Sequence, residues 1–155
     1  MNETYLNYEI VVDQLELPIR TYPHNLEIGT ISNSTEYSKL LDIFLDIFPN
    51  SINSEKEGEL RSFRNPNWEG TYIAKIDSKI IGFLITGIIP FINPTAYILY
   101  LGVLKRYRSK GIATYLLNEL KKVLKKKGIK KIQARIRNDN YIVLNYIKYL
   151  GFKQI

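Results

Sequence analysis

The chain contains no cysteine, which excludes disulfides, thiolate zinc sites and a cysteine nucleophile. It contains one histidine, His24, which follows Pro23 in a polar turn and reads as a solvated loop residue. A histidine metal cluster is therefore excluded, a Ser-His-Asp triad is disfavoured, and no metal site is expected. Chemistry here has to rest on hydroxyls, carboxylates, backbone groups and a bound cofactor. Long apolar runs are also missing. The longest, Ile80 to Ile92, is interrupted by Gly82, Gly87 and Pro90, and it falls short of the roughly 20 residues a membrane span needs. The amino end, MNETYLNYEI, has no basic leader and carries two acids, so it does not read as a signal peptide. These absences point to a cytoplasmic protein without a membrane partner.

Acidic residues are scarce in one region only. Residues 1–100 carry 7 Lys and Arg against 13 Asp and Glu, whereas residues 101–155 carry 15 against 2. What remains is ordinary for a single folded domain: 155 residues, 45% apolar and 24% charged, without internal repeats or low-complexity linkers.

The informative stretch is Leu99 to Leu120, LYLGVLKRYRSKGIATYLLNEL. It begins in an apolar run, Tyr97 to Val103, with the length of a buried strand. A basic turn, Lys105 to Lys110, leads through Gly111. Ile112, Leu116, Leu120, Val123 and Leu124 then recur at the spacing of one helix face. The first turn of a helix has unpaired N–H groups and a partial positive charge, so it can hold a phosphate. Gly111 and Ala113 let backbone and ligand approach closely.

Arg108-Ser109-Lys110-Gly111-Ile112-Ala113 resembles the R/Q-x-x-G-x-G/A signature of the GCN5-related N-acetyltransferases (GNAT). Asn140 to Phe152, NYIVLNYIKYLGF, resembles that family's N-x-x-A-x-x-x-Y-x-x-x-G-F segment. The resemblance covers roughly Leu26 to Phe152. It implies an acyl-CoA N-acyltransferase fold, with residues 1–25 as an amino-terminal extension and 26–155 as the acetyltransferase domain. It also implies acetyl-coenzyme A as co-substrate and an amine as acceptor. The pyrophosphate would lie on Arg108, Ser109, Lys110, Gly111, Ile112, Ala113 and Thr114. The pantetheine arm would lie along the freed backbone of Leu101, Gly102 and Val103, and Asn140 would stand near the thioester; as a residue following Asp139 it also reads as a plain helix cap.

Motifs of the NatE-type protein amino-terminal acetyltransferases are the nearest match within the family. Tyr97-Ile98-x-x-Leu101-Gly102-x-Leu104-x-x-Tyr107-Arg108 and Ile47-Phe48-Pro49-x-Ser51-x-Asn53 resemble the corresponding segments. Tyr97 matches a catalytic tyrosine of that branch, and Phe48, Pro49, Asn50 and Ile52 would wall the acceptor groove. The branch's partner histidine falls on Arg135. The family tyrosine that protonates the leaving thiolate falls on Ile147, which leaves Tyr146 as the candidate or solvent as the donor. The strand Ala96 to Val103 carries no glutamate base. Deprotonating a lysine amine of pKa about 10.4 at pH 7 costs about 4.6 kcal/mol, against about 1.4 for an α-amine near 8. A peptide amino terminus is thus the leading acceptor, with a small amine or a protein lysine behind it.

Three readings fit the lysine tract Lys121 to Lys131: a solvated helix face, attraction of the polyanionic coenzyme, or nucleic-acid binding. No aromatic or arginine platform interleaves the lysines, which disfavours nucleic acid. A coenzyme- or nucleic-acid-binding module without turnover is the alternative function.

Along the chain, strands are expected at Leu26–Ile31, Thr71–Ile76, Ile80–Ile88, Ala96–Val103, Lys131–Arg137 and Phe152–Ile155. Helices are expected from the caps Asn33 to Thr35 to Phe48, at Glu55–Ser62, Ile112–Lys127 and Asn140–Leu150. The result is an α+β or α/β sandwich around a mixed, mostly antiparallel sheet. The carboxy-terminal hairpin of the NatE-type branch has no counterpart before Ile155, so an open sheet edge is expected. Residues 8–12 are expected to fill it, in cis or from a second copy in a homodimer.

Overall fold

Seven extended runs and three amphipathic stretches form the elements of the computed structural model, which describes residues 4–18, 21–31, 34–48, 68, 70–89 and 93–155. The strands are β1 (Tyr5–Val11), β2 (Leu26–Gly29), β3 (Tyr72–Ile76), β4 (Lys79–Ile89), β5 (Thr95–Val103), β6 (Lys131–Arg137) and β7 (Lys153–Gln154). The helices are α1 (Ser34–Ile47), α2 (Ile112–Lys127) and α3 (Tyr141–Tyr149). The expected helix at residues 55–62 and the loop at residues 50–53 lie outside the described residues.

The strands form one sheet in the order β2-β3-β4-β5-β6-β1-β7. Every pair is antiparallel except β5 with β6, which run parallel because α2 carries the chain across between them. The architecture is the mixed α+β sandwich expected. Gly128, in the left-handed region at φ 70°, ends α2; its N–H bonds back to Leu124 and Lys125 carbonyls.

The expected edge-filling strand is present in cis, over Tyr5–Val11 rather than residues 8–12. β1 pairs with β6 along its whole length and with β7 on its other side. The amino-terminal segment is thus an interior part of the sheet. Tyr8, Ile10, Val12 and Leu15 are each 4% exposed or less, and the Lys121 ammonium donates to the Leu15 carbonyl. Burial of four such side chains is worth several kcal/mol at about 1.5–3 kcal/mol each.

Each face of the sheet carries its own core. Leu116, Leu120 and Leu124 of α2 and Leu144 and Ile147 of α3 pack with Ile132, Ala134, Tyr8 and Ile10 on one side. Leu40, Leu41 and Phe44 of α1 pack on Ile73, Phe83 and Ile85 on the other. Among the described residues, no helix is long and apolar enough to cross a membrane.

Candidate active site

β5 and β6 pair only from Thr95–Lys131 to Ile98–Ala134. Beyond that point both strands continue, β5 to Val103 and β6 to Arg137, without pairing to each other. The cause is visible on the β4 side. Ile85 pairs with Tyr100 and Thr86 with Ile98, so Leu99 is an extra residue bulged out of the ladder. A bulge bends its strand and raises the local twist. Here it falls on the first residue after the last β5–β6 pair, and the sheet forks there. Five residues of β5, Leu99–Val103, face the fork, an edge of about 16 Å at roughly 3.3 Å per residue.

The outer end of the fork is the basic turn. Ser109 and Gly111 both take left-handed conformations, φ 63° and 79°, which reverse the chain into α2. Gly111 is the N-cap, no side chain caps the helix, and its first turn holds no acid. The leading N–H groups of α2 therefore open toward the fork with the positive end of the helix dipole. Arg108 lies against the strand end, its Nε donating to the Val103 carbonyl at 2.9 Å. The rest of its guanidinium remains available to an anion.

A cavity of about 700 Å³ occupies the fork. β5 contributes Leu101, Gly102 and Val103, and the turn and helix start contribute Arg108, Ser109, Gly111, Ile112, Ala113 and Thr114. Asn140, Val143 and Tyr146 line the side of α3, and Ile47 and Phe48 the end of α1. Gly102 is required for this packing, because a Cβ there would stand 2.9 Å from Phe83 Cζ and 3.1 Å from Ile47 Cδ1. Asn140 caps α3, its Oδ1 accepting from the Val143 N–H at 3.4 Å, while also lining the cavity.

Two candidate residues stand elsewhere. Lys110 is exposed and does not line the cavity, because the left-handed residues on either side of it turn it out to solvent. Tyr97 does not line it either. It lies in the paired part of β5, between Gly87 and Gln133, just inside the fork. Pro49, Asn50 and Ile52 lie outside the described residues.

The family's tyrosine position resolves simply. Ile147 is 2% exposed and packs in the core, whereas Tyr146, one residue earlier, lines the cavity and shares a hydrogen bond with the Thr114 hydroxyl. Thr114 is itself 2% exposed, so this pair ties α3 to the first turn of α2. Sequence reasoning missed that pairing, and it missed Tyr107, Asp139 and Ile142 as lining residues. Ile142 is 70% exposed despite its size, an apolar excess that its helix position alone did not reveal.

The chain belongs to the acetyltransferase (GNAT) family, whose model matches residues 37–152. Its fold is that of the acyl-CoA N-acyltransferases. A GCN5-related N-acetyltransferase from Sphaerobacter thermophilus superposes with a TM-score of 0.77 at 18% identity, over 97% of this chain. This chain spans 48% of that protein's length. Naa50 of Arabidopsis thaliana, solved with a bisubstrate analogue of coenzyme A and a peptide, superposes at 0.69 with 21% identity, over 83% of each chain. The aminoglycoside N-acetyltransferase AAC(6')-Iy, solved with coenzyme A, also superposes at 0.69, with 18% identity over 83% of this chain and 88% of its own.

Proposed function

We propose that the protein is an N-acetyltransferase that moves an acetyl group from acetyl-coenzyme A to a primary amine by direct attack. The observation that carries this is the fork: five residues of unpaired strand edge running into an uncapped helix start in a basic turn. The fork-facing edge of Leu101–Val103, whose Val103 carbonyl is held by Arg108, suits an extended amide-bearing arm, which would add to β5 like a strand. The turn Arg108–Ala113 suits a pyrophosphate, with Thr114 beside it. Asn140 faces the same cavity.

Bound acetyl-coenzyme A supplies an acyl carbon activated as a thioester. The fork would lead that group toward its inner end, where the β5–β6 pairing stops at Ile98 and Ala134. The neutral amine forms the new C–N bond there, the C–S bond breaks, and the amine gives up one proton. Tyr146 is the candidate to return a proton to the departing sulfur, since it lines the cavity from α3, one residue before the family position held by the buried Ile147. Tyr97 lies next to the inner end and is the candidate to contact the acceptor, together with Phe48, which lines the cavity at the end of α1. An α-amine of a peptide is the leading acceptor, on the resemblance of the segments about Tyr97 and Phe48 to the amino-terminal acetyltransferases. The fold itself leaves this open, as a peptide-bound neighbour and an aminoglycoside enzyme superpose equally well.

The test is acetyl-coenzyme A binding by calorimetry on wild type, Gly111→Glu and Gly111→Ala. The glutamate puts bulk and negative charge at the helix start, while the alanine carries the same left-handed strain without the charge. Binding by wild type and alanine but not glutamate supports the reading, and an acceptor screen for turnover then separates an enzyme from a silent binding module. Equal binding by all three removes the turn from the coenzyme site.

A further inference from the structure

The face of β6 and β1 opposite α2 and α3 borders the inner end of the fork. Directly paired residues share a face of a sheet, and so do residues two apart on a strand. Tyr97 pairs with Gln133, Gln133 with Glu9, and Arg135 with Asn7. All five residues therefore project on this one side, and Arg135 is the first residue of β6 past the last pair with β5.

The charges here are mostly matched. Arg137 holds Asp139 through two of its three guanidinium nitrogens, at 3.1 and 2.7 Å. Glu9 accepts from Gln133 at 2.8 Å, with Lys131 at 3.9 Å. Arg135 is different: it is exposed and has no carboxylate partner among the described residues. It is nonetheless held, its guanidinium lying over the Tyr5 ring at 4.5 Å from the centroid. Stacking uses the face of the guanidinium and leaves its edge of N–H donors free. A planar, pre-positioned donor edge matches a carboxylate or phosphate, which it can bind through two hydrogen bonds.

We infer that Arg135, positioned by Tyr5 of β1, recognises an anionic group on the acceptor, so that the substrate is an amine carrying a carboxylate or phosphate close to its nitrogen. This rests on the acetyltransferase reading above and adds the acceptor's charge to it. The amino-terminal strand then has a role in specificity as well as in the sheet.

The experiment compares kcat/KM, expressed per neutral amine so that amine pKa does not enter, for three acceptor pairs: glycine with glycinamide, phosphoethanolamine with ethanolamine, and tetrapeptides with Glu or Gln as second residue. Coenzyme A affinity is measured alongside. The anionic member of at least one pair is expected to be preferred by roughly tenfold or more, mainly through KM, and which pair responds tells carboxylate from phosphate. Arg135→Gln should erase the preference and leave coenzyme affinity unchanged. Tyr5→Phe should keep it, and Tyr5→Ala should reduce it through KM with kcat intact. Equal use of both members, a preference that survives Arg135→Gln, or no product from any acceptor while the coenzyme binds would each overturn the assignment. Failure of the coenzyme to bind overturns the parent reading instead.

Discussion

The two ends of the fork are built in different ways. The outer end, where the coenzyme is proposed to sit, is one continuous segment. The free edge of β5, the basic turn and the start of α2 run from Leu99 to Thr114 without interruption. The inner end, where the acceptor is proposed to enter, would draw on Tyr97 of β5, Arg135 of β6, Tyr5 of β1 and Phe48 after α1. The comparison teaches that a cofactor shared by a family can be held by local backbone geometry, which tolerates many side chains. An acceptor peculiar to one protein needs side chains brought from several elements, and those can change one at a time.

The largest expected effect breaks the inner end together with the sheet that carries it. Deleting residues 1–24 removes β1 from between β6 and β7 and takes away Tyr8, Ile10, Val12 and Leu15. Their burial is comparable with the total stability of about 5–15 kcal/mol usual for a domain. The truncated chain should lose its cooperative thermal transition by circular dichroism; an unchanged transition would show that the strand is dispensable. Gly111→Glu comes next and acts on the outer end alone, abolishing coenzyme binding in a folded protein.

A smaller effect is expected where the two ends meet. Tyr146→Phe removes the hydroxyl shared with Thr114. If that hydroxyl is the proton donor, kcat should fall on the order of 100-fold with coenzyme affinity nearly unchanged. A loss of about 1 kcal/mol of stability with kcat preserved would make it a tie between helices and nothing more. The smallest effect has the opposite sign. The Tyr8 hydroxyl is buried without a hydrogen-bond partner among the described residues, so Tyr8→Phe should stabilise the protein by about 1 kcal/mol in a denaturant titration.

Much of this architecture could be read in advance because its signals are local. The helix from Ile112 to Lys127 follows its sequence pattern and stops at Gly128, as expected. The turn between β3 and β4, expected over Asp77-Ser78-Lys79, is confined to Asp77 and Ser78, both at positive φ, and Lys79 already opens β4. The cavity contains ten of the eleven residues assigned to the coenzyme by the family resemblance, missing only Lys110. That exception is instructive. A motif fixes where the backbone goes, but whether a side chain faces ligand or solvent depends on the φ values of its neighbours. Tyr97 shows the same limit at longer range, since its place outside the cavity depends on where the β5–β6 pairing stops.

The sequence by itself determined most of the described elements, the basic turn and the isoleucine at the family's tyrosine position. Each depends on periodicity or on residues a few positions apart, which local sterics and hydrogen bonding control. Only the tertiary structure decided that β1 enters the sheet beside β6 in cis, that Leu99 bulges and opens the fork, and that Tyr146 meets Thr114. Only it placed Arg135 on Tyr5, 130 positions away in the chain. Such contacts follow from strand register and helix packing across the whole domain, and no short stretch of sequence encodes them.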